Sequence, residues 1–278
     1  MNSSSAIEPK LEIDPKQKYV SRQPDQNGFI NYSDEEHSTW STLYNRQTEI
    51  IKDRACDEFI AGIDLLKMSA DKIPQLPDIN RKLKQLTGWQ VENVPALIGF
   101  ERFFELLASK RFPAATFIRT KADIDYIQEP DIFHELFGHC PLLTNQAYAD
   151  FSQHYGEIGL KADKADRPML ARLYWYTIEF GLIQSQQGMK VYGGGILSSK
   201  QETCYSLESD IPNRQPLQVI EAFRTHYRID ELQKNYFVIN QLSDLQQLVK
   251  LDLITLIKEA KILGMKPSAY VPKEDKAC

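Results

Sequence analysis

The sequence predicts a mainly α-helical fold with a minor β component, organised as a single domain. Three observations carry this expectation. Apolar residues recur at helical spacing through most of the chain, while strand-like alternation is confined to short stretches. The 278 residues contain no internal repeat and no low-complexity segment. Apolar residues make up 42% and charged residues 26%, the composition of a globular chain long enough to bury one sizeable core.

Residues 1–30 are polar and carry prolines at positions 9, 15 and 24, so they are expected to form a flexible arm ahead of one folded domain over 31–278. Ser33 followed by Glu36 forms a capping-box pair, and Trp40, Leu43, Ile50 and Ile51 continue a helix from it. Amphipathic helices are expected at about 57–69, 78–86 and 100–109; the last, FERFFELLASK, is rich enough in Phe and Leu to pack into the core. ATFIRTKADIDYIQ alternates in two short runs and predicts a pair of strands over 115–128. Pro130 and Asp131 then open a helix carrying HELFGH. RPMLARLYWYTIEFGLIQSQQG predicts one long buried helix, with Pro168 near its start and Gly188 near its end. VYGGGILSS predicts a short strand or loop made flexible by three glycines. Helices near 200–209 and 216–223, a β stretch near 225–239 and a last helix over 241–263 complete the chain. The leucines of that last helix are expected to face their own domain.

The formal net charge of −5 gives no electrostatic reason to bind nucleic acid or an anionic membrane. Cys56, Cys140, Cys204 and Cys278 are scattered and form no C-x-x-C pair, which argues against a zinc ribbon or a disulfide framework and fits free thiols in a reducing compartment. The N-terminus has no apolar stretch of signal-peptide type, and no segment approaches the roughly 20 apolar residues of a membrane span. A cytoplasmic protein is expected, as a monomer or a homodimer.

Two of the five histidines, His134 and His139, fall within PDIFHELFGHCPLL. Neutral imidazole is a first-choice ligand for iron, zinc and copper. In the zinc-peptidase pattern H-E-x-x-H the histidines are four apart and share a helical face. Here they are five apart, which on a regular α-helix turns the second ring about 140° away from the first. They can face one ion only if the helix widens between them, and Gly138 and Pro141 offer the means, so a π-bulge is expected. Glu179, in the apolar run LYWYTIEFGLI, is the best third ligand, because a carboxylate there is costly to bury without a cation. Arg172, seven residues earlier, is the alternative partner for it. Two histidines and one carboxylate would form the facial triad of a non-haem iron(II) oxygenase. The competing readings are a zinc-dependent hydrolase with Glu135 as base, and a helical binding protein whose histidines are structural.

PDIFHELFGHCPLL, then YWYTIEFGL about forty residues on, then VYGGGILSS, resemble in order and spacing the catalytic core of the pterin-dependent aromatic amino acid hydroxylases. The resemblance runs from roughly Trp89 to Leu242. It implies that 31–278 is a catalytic iron-binding domain of that type, with His134, His139 and Glu179 as ligands of Fe(II). It implies Glu135 as a catalytic acidic residue beside the pterin, with Ile98, Phe103 and Tyr174 as further pterin contacts and Phe103 stacking on the ring. Arg119 is similar to the arginine that grips the substrate α-carboxylate, and Pro130, Phe133, Trp175 and Ser198 match positions of the amino acid pocket. The implied reaction converts L-phenylalanine, dioxygen and a tetrahydropterin such as tetrahydrobiopterin into L-tyrosine and a 4a-hydroxypterin. Tryptophan is the alternative substrate. Ile229 falls where tyrosine-specific members tend to carry an acidic residue, and its apolar side chain suits an unsubstituted ring. Ile127 and Pro113 replace a substrate-side threonine and a pterin-side histidine of the animal enzymes. The regulatory domain and tetramerisation helix of those enzymes have no full-length counterpart here, so neither allosteric control by phenylalanine nor a coiled-coil tetramer is expected.

Overall fold

The computed structural model describes residues 19–95, 98–127 and 129–271. The expected arm therefore lies outside the described residues as far as Lys18. From Tyr19 to Tyr32 the chain has no helix or strand, yet it is held: the Tyr19 ring stacks on Phe117 at 4.9 Å, and Ser21 Oγ donates to the Val94 carbonyl at 2.7 Å.

Helix α1 (Asp34–Ile51) begins with the expected capping box. Ser33 Oγ accepts from the Glu36 N–H, and the Glu36 carboxylate accepts from the Ser33 N–H at 2.8 Å. Its inner face buries Trp40 and Leu43, and Gln47 Nε2 donates to the Leu197 carbonyl at 2.7 Å, tying α1 to the glycine-rich segment 150 residues on. Helices α2 (Asp57–Leu66), α3 (Leu76–Leu86) and α4 (Phe100–Ala108) follow where their periodicity places them. Between and after them, β1 (Gln90–Val94) and β2 (Arg111–Ala115) form a two-stranded parallel sheet.

The strand pair expected over 115–128 does not form. Among the described residues of that stretch, only Ala115 lies in a strand. Phe117, Ile118 and Arg119 are all buried, and the Phe117 carbonyl accepts from the Ile132 N–H at 2.7 Å, so the segment folds over the HELFGH region before a 3-10 turn at Lys121–Asp123. Alternation here reflects burial on two sides of an irregular segment.

After the HELFGH segment come α5 (Gln146–Lys161), capped by Asn145, and α6 (Arg167–Tyr174), which opens with Pro168. The long helix expected to reach Gly188 stops at Glu179. Residues Trp175–Glu179 form a π-helical turn, and the chain then enters a hairpin of β3 (Leu182–Ser185) and β4 (Gly188–Val191). Gly181 explains the stop, because a Cβ there would collide with Tyr192 and the Thr177 carbonyl. Gly188, at φ +107°, closes the hairpin turn and does not cap a helix.

A single helical turn, α7 (Gly194–Leu197), occupies the glycine-rich segment, followed by α8 (Lys200–Glu208), β5 (Asn213–Pro216), α9 (Val219–Arg224) and β6 (Asn235–Ile239). The β stretch expected near 225–239 shrinks to β6. Strand β6 joins the hairpin in a four-stranded sheet of order β4-β3-β6-β5. The single last helix expected over 241–263 is broken into α10 (Asp244–Val249) and α11 (Leu253–Leu263). The break is local chemistry: the Asp252 carboxylate accepts from the Thr255 N–H at 3.1 Å and starts a new helix. Among the described residues, no helix is long and apolar enough to cross a membrane.

Replacing Ser33 with alanine removes one half of the α1 cap. The expected cost is about 1 kcal/mol, read as a fall in melting temperature of about 2–4 °C in a thermal scan.

Candidate metal centre

His134–His139 is a π-helical segment. Its wider turn brings residues five apart back to one side, so the two imidazoles meet: Nε2 of His134 lies 3.1 Å from Nε2 of His139. The tautomer of His134 follows from its partner. Ser198 Oγ has one proton and donates it to the Gly194 carbonyl at 2.9 Å. At 2.9 Å from His134 Nδ1, the same Oγ must therefore accept, which puts the ring proton on Nδ1 and leaves the Nε2 lone pair facing His139 and Glu179. Burial pushes the His134 pKa down to about 4, so the ring is neutral at neutral pH.

Glu179 arrives from the other π turn, closed by the Phe180 N–H donating to the Trp175 carbonyl at 2.7 Å. Its Oε2 lies 3.3 Å from His139 Nε2 and 3.7 Å from His134 Nε2. Burial works to raise this carboxyl, but His139 and then His134, with the Gly195 backbone, hold it below the ordinary carboxylate value. Arg172 is not its partner; that guanidinium donates to the Pro168 carbonyl at 3.2 Å. Three ligand atoms from two segments thus form a triangle with sides of 3.1, 3.3 and 3.7 Å. All three can sit at once at about 2.0–2.2 Å from one ion, the usual metal–ligand length. Nε2 of each histidine faces the other ring and the Glu179 carboxylate, and the three donor atoms lie within 4.8 Å of one another, an arrangement that could hold a metal ion.

The glycines of VYGGGILSS give this site its space. A Cβ at Gly194 would come within 2.4 Å of the His139 ring, one at Gly195 would lie 3.1 Å from Glu179 Oε2, and one at Gly193 would strike the Glu179 carbonyl. Gly138 has the matching role on the other side, where a Cβ would come 2.6 Å from the Gly194 carbonyl. None of the four has a positive φ. The glycines expected to lend flexibility serve instead for clearance.

Beside the ligands opens a cavity of about 570 Å³. Among the candidate residues Arg119, Pro130, Trp175 and Ser198 line it, together with His134 and Glu179. Ile127 and Ile229 also face it. Phe133 does not line it. That ring is 1% exposed, stacks on Phe137 at 4.8 Å, and lies under the Arg119 guanidinium at 5.9 Å. Arg119 is fixed by Asp131, which sequence reasoning noted only as a helix opener. Nε and Nη2 donate to its two carboxylate oxygens, each at 2.8 Å. Asp131 also accepts from the His134 N–H at 3.1 Å, so one fully buried carboxylate both caps the first ligand's helix and aims the guanidinium. Nη1 takes no part in that pair.

Glu135, Phe103, Tyr174 and Ile98 lie away from this cavity. Burial, followed by the charges of Glu179 and Asp131, pushes the Glu135 carboxyl well above its ordinary value. Phe103 on α4 meets Tyr174 edge to face at 5.2 Å, and Ile98 is half-buried just ahead of that helix. Pro113 lies in β2, paired with Glu92.

Residues 14–263 match the model of a family described as biopterin-dependent aromatic amino acid hydroxylase. The phenylalanine-4-hydroxylase of Pseudomonas aeruginosa is 56% identical over 257 residues, covering 92% of this chain and 98% of that protein. Among solved structures, a phenylalanine hydroxylase from Legionella pneumophila shares a TM-score of 0.89 and 48% identity over 91% of this chain and 100% of its own. That of Chromobacterium violaceum, solved with bound oxidised Fe(III), shares a TM-score of 0.83 and 44% identity over 91% of this chain and 94% of its own. These matches leave the zinc-hydrolase reading and the structural-histidine reading without support. The chain belongs to the biopterin-dependent aromatic amino acid hydroxylase family.

Proposed function

We propose that this chain hydroxylates L-phenylalanine to L-tyrosine with dioxygen and a tetrahydropterin, using an iron(II) ion held by His134, His139 and Glu179. The observation that carries this reading is the convergence of two imidazole nitrogens and one carboxylate oxygen, with a cavity of amino acid size alongside. Bound iron(II), with the pterin as electron donor, supplies the dioxygen chemistry.

The chain's own residues bind, orient and shield. Arg119, preset by Asp131, offers its remaining N–H groups to the substrate α-carboxylate, so little ordering is needed when the amino acid arrives. Phe133 supports that guanidinium from beneath. Pro130 and Trp175 wall the ring, and Ser198 holds the His134 tautomer. Ile229 at the cavity offers no partner to a phenolic hydroxyl, which favours an unsubstituted ring. Phe103 and Tyr174 present aromatic surface to a flat heterocycle, with Ile98 ahead of them. Glu135, its carboxyl pushed well above the ordinary value first by burial and then by Glu179 and Asp131, is the acidic residue assigned to the pterin side. Cys56, Cys140 and Cys204 are free, in keeping with a reducing cytoplasm.

Two outcomes are expected. Purified protein supplied with iron(II) and tetrahydrobiopterin forms tyrosine from phenylalanine, faster than it hydroxylates tryptophan or tyrosine; a full iron load without tyrosine formation refutes the reading. The Gly194→Ala chain folds, as judged by far-UV circular dichroism, but binds iron(II) at least about tenfold more weakly in an anaerobic titration, because the added methyl displaces the His139 ring.

A further inference from the structure

The indole of Trp175 is clamped on both faces. Phe180 stacks on one side and Tyr227 on the other, each with ring centroids 4.4 Å away and interplanar angles of 24° and 19°. This sandwich fixes the plane of the ring but not which edge faces the cavity. The indole N–H decides that, and it donates to Gln233 Oε1 at 3.0 Å. Gln233 is 1% exposed and lines the same cavity.

Every hydrogen-bonding capacity of the Gln233 amide is used. Oε1 accepts from the indole and from the Tyr270 hydroxyl at 3.1 Å. Nε2 donates to the Arg228 carbonyl at 2.6 Å and the Glu231 carbonyl at 3.1 Å. Those carbonyls flank Ile229 and Asp230, so the amide staples the loop that carries Ile229. Its backbone is fixed as well, the Gln233 N–H donating to Glu202 Oε1 at 3.1 Å, and Tyr236 also bonds to that carboxylate. The amide orientation is forced, since an indole N–H demands the oxygen and two carbonyls demand the NH₂ group.

We propose that Gln233 is a positioning residue for the substrate ring. One side-chain amide joins two walls of the cavity, the Trp175 edge and the Ile229 loop, and so sets how an aromatic side chain lies and how sharply a benzene ring is preferred to an indole. The proposal rests on the aromatic hydroxylation proposed above. Gln233 itself touches neither the ligand triangle nor Arg119, so its loss should leave iron binding and carboxylate recognition in place.

The test uses the full iron-loaded chain as parent, Gln233→Met, Trp175→Phe and the double variant, with phenylalanine and tryptophan as substrates. Gln233→Met keeps the side-chain length and removes every hydrogen bond of the side-chain amide, leaving the backbone bond to Glu202 in place. It should keep a full equivalent of iron, raise KM for phenylalanine by about three- to tenfold, the scale of one or two lost neutral hydrogen bonds, and narrow the preference for phenylalanine over tryptophan. Trp175→Phe keeps a stacked ring without the N–H and should move KM and preference in the same direction. In the double variant the two KM effects should combine to clearly less than their product, because both remove one shared bond. A parent that hydroxylates no aromatic amino acid sinks the functional reading itself. An active parent overturns the positioning role if Gln233→Met lowers stability and kcat with KM and preference unmoved, or if the two substitutions multiply independently. Should Gln233→Met not fold, Trp175→Phe with parental KM and preference overturns it as well.

Discussion

The site depends on a widened helical turn. Residues five apart on an α-helix face apart, and the π geometry of His134–His139 is what lets two imidazoles share one point in space. A second widened turn, Trp175–Glu179, delivers the carboxylate to the same point. Both turns give up regular helical hydrogen bonding, so both need outside support. Asp131 holds the start of the first, and the Phe180-to-Trp175 backbone bond closes the second.

Close backbone approach supplies the rest of that support. The one-turn helix α7 sits against both π segments, and its glycines leave room for the His139 ring and the Glu179 carboxylate. From the same helix the Gly194 carbonyl accepts the Ser198 hydroxyl hydrogen bond, which in turn settles the tautomer of His134. Ligand placement and cavity shape are therefore coupled. Asp131 links the first ligand to Arg119, and the second π turn carries Glu179 at one end and Trp175 at the other. A change that shifts either turn moves the ligands and the cavity wall together.

Much of this was legible in the sequence, for physical reasons that can be named. The five-residue histidine spacing demanded a distorted helix, and the distortion is there. The carboxylate of Glu179 in an apolar run demanded a partner, and its partners are the two histidines, not Arg172. The capping box at Ser33 and the mainly helical character followed from local pattern. What stayed hidden was set by distant contacts. Nothing local announces that Gly181 must clear Tyr192, so the pattern of LYWYTIEFGLI predicts a longer helix than forms. The role of the three glycines is invisible without knowing what packs on them. Asp131 and Gln233 act through partners 12 and 58 residues away, the guanidinium of Arg119 and the indole of Trp175. Phe133 carried the pattern of a pocket wall yet packs behind the guanidinium.

An anaerobic iron(II) titration of the parent chain beside His139→Ala and Glu179→Ala, with folding checked by far-UV circular dichroism, tests the shared-ion geometry most directly. One equivalent of iron bound by the parent and essentially none by either natively folded variant is the expected result. Undiminished iron binding by both variants would show that these side chains do not meet on one ion.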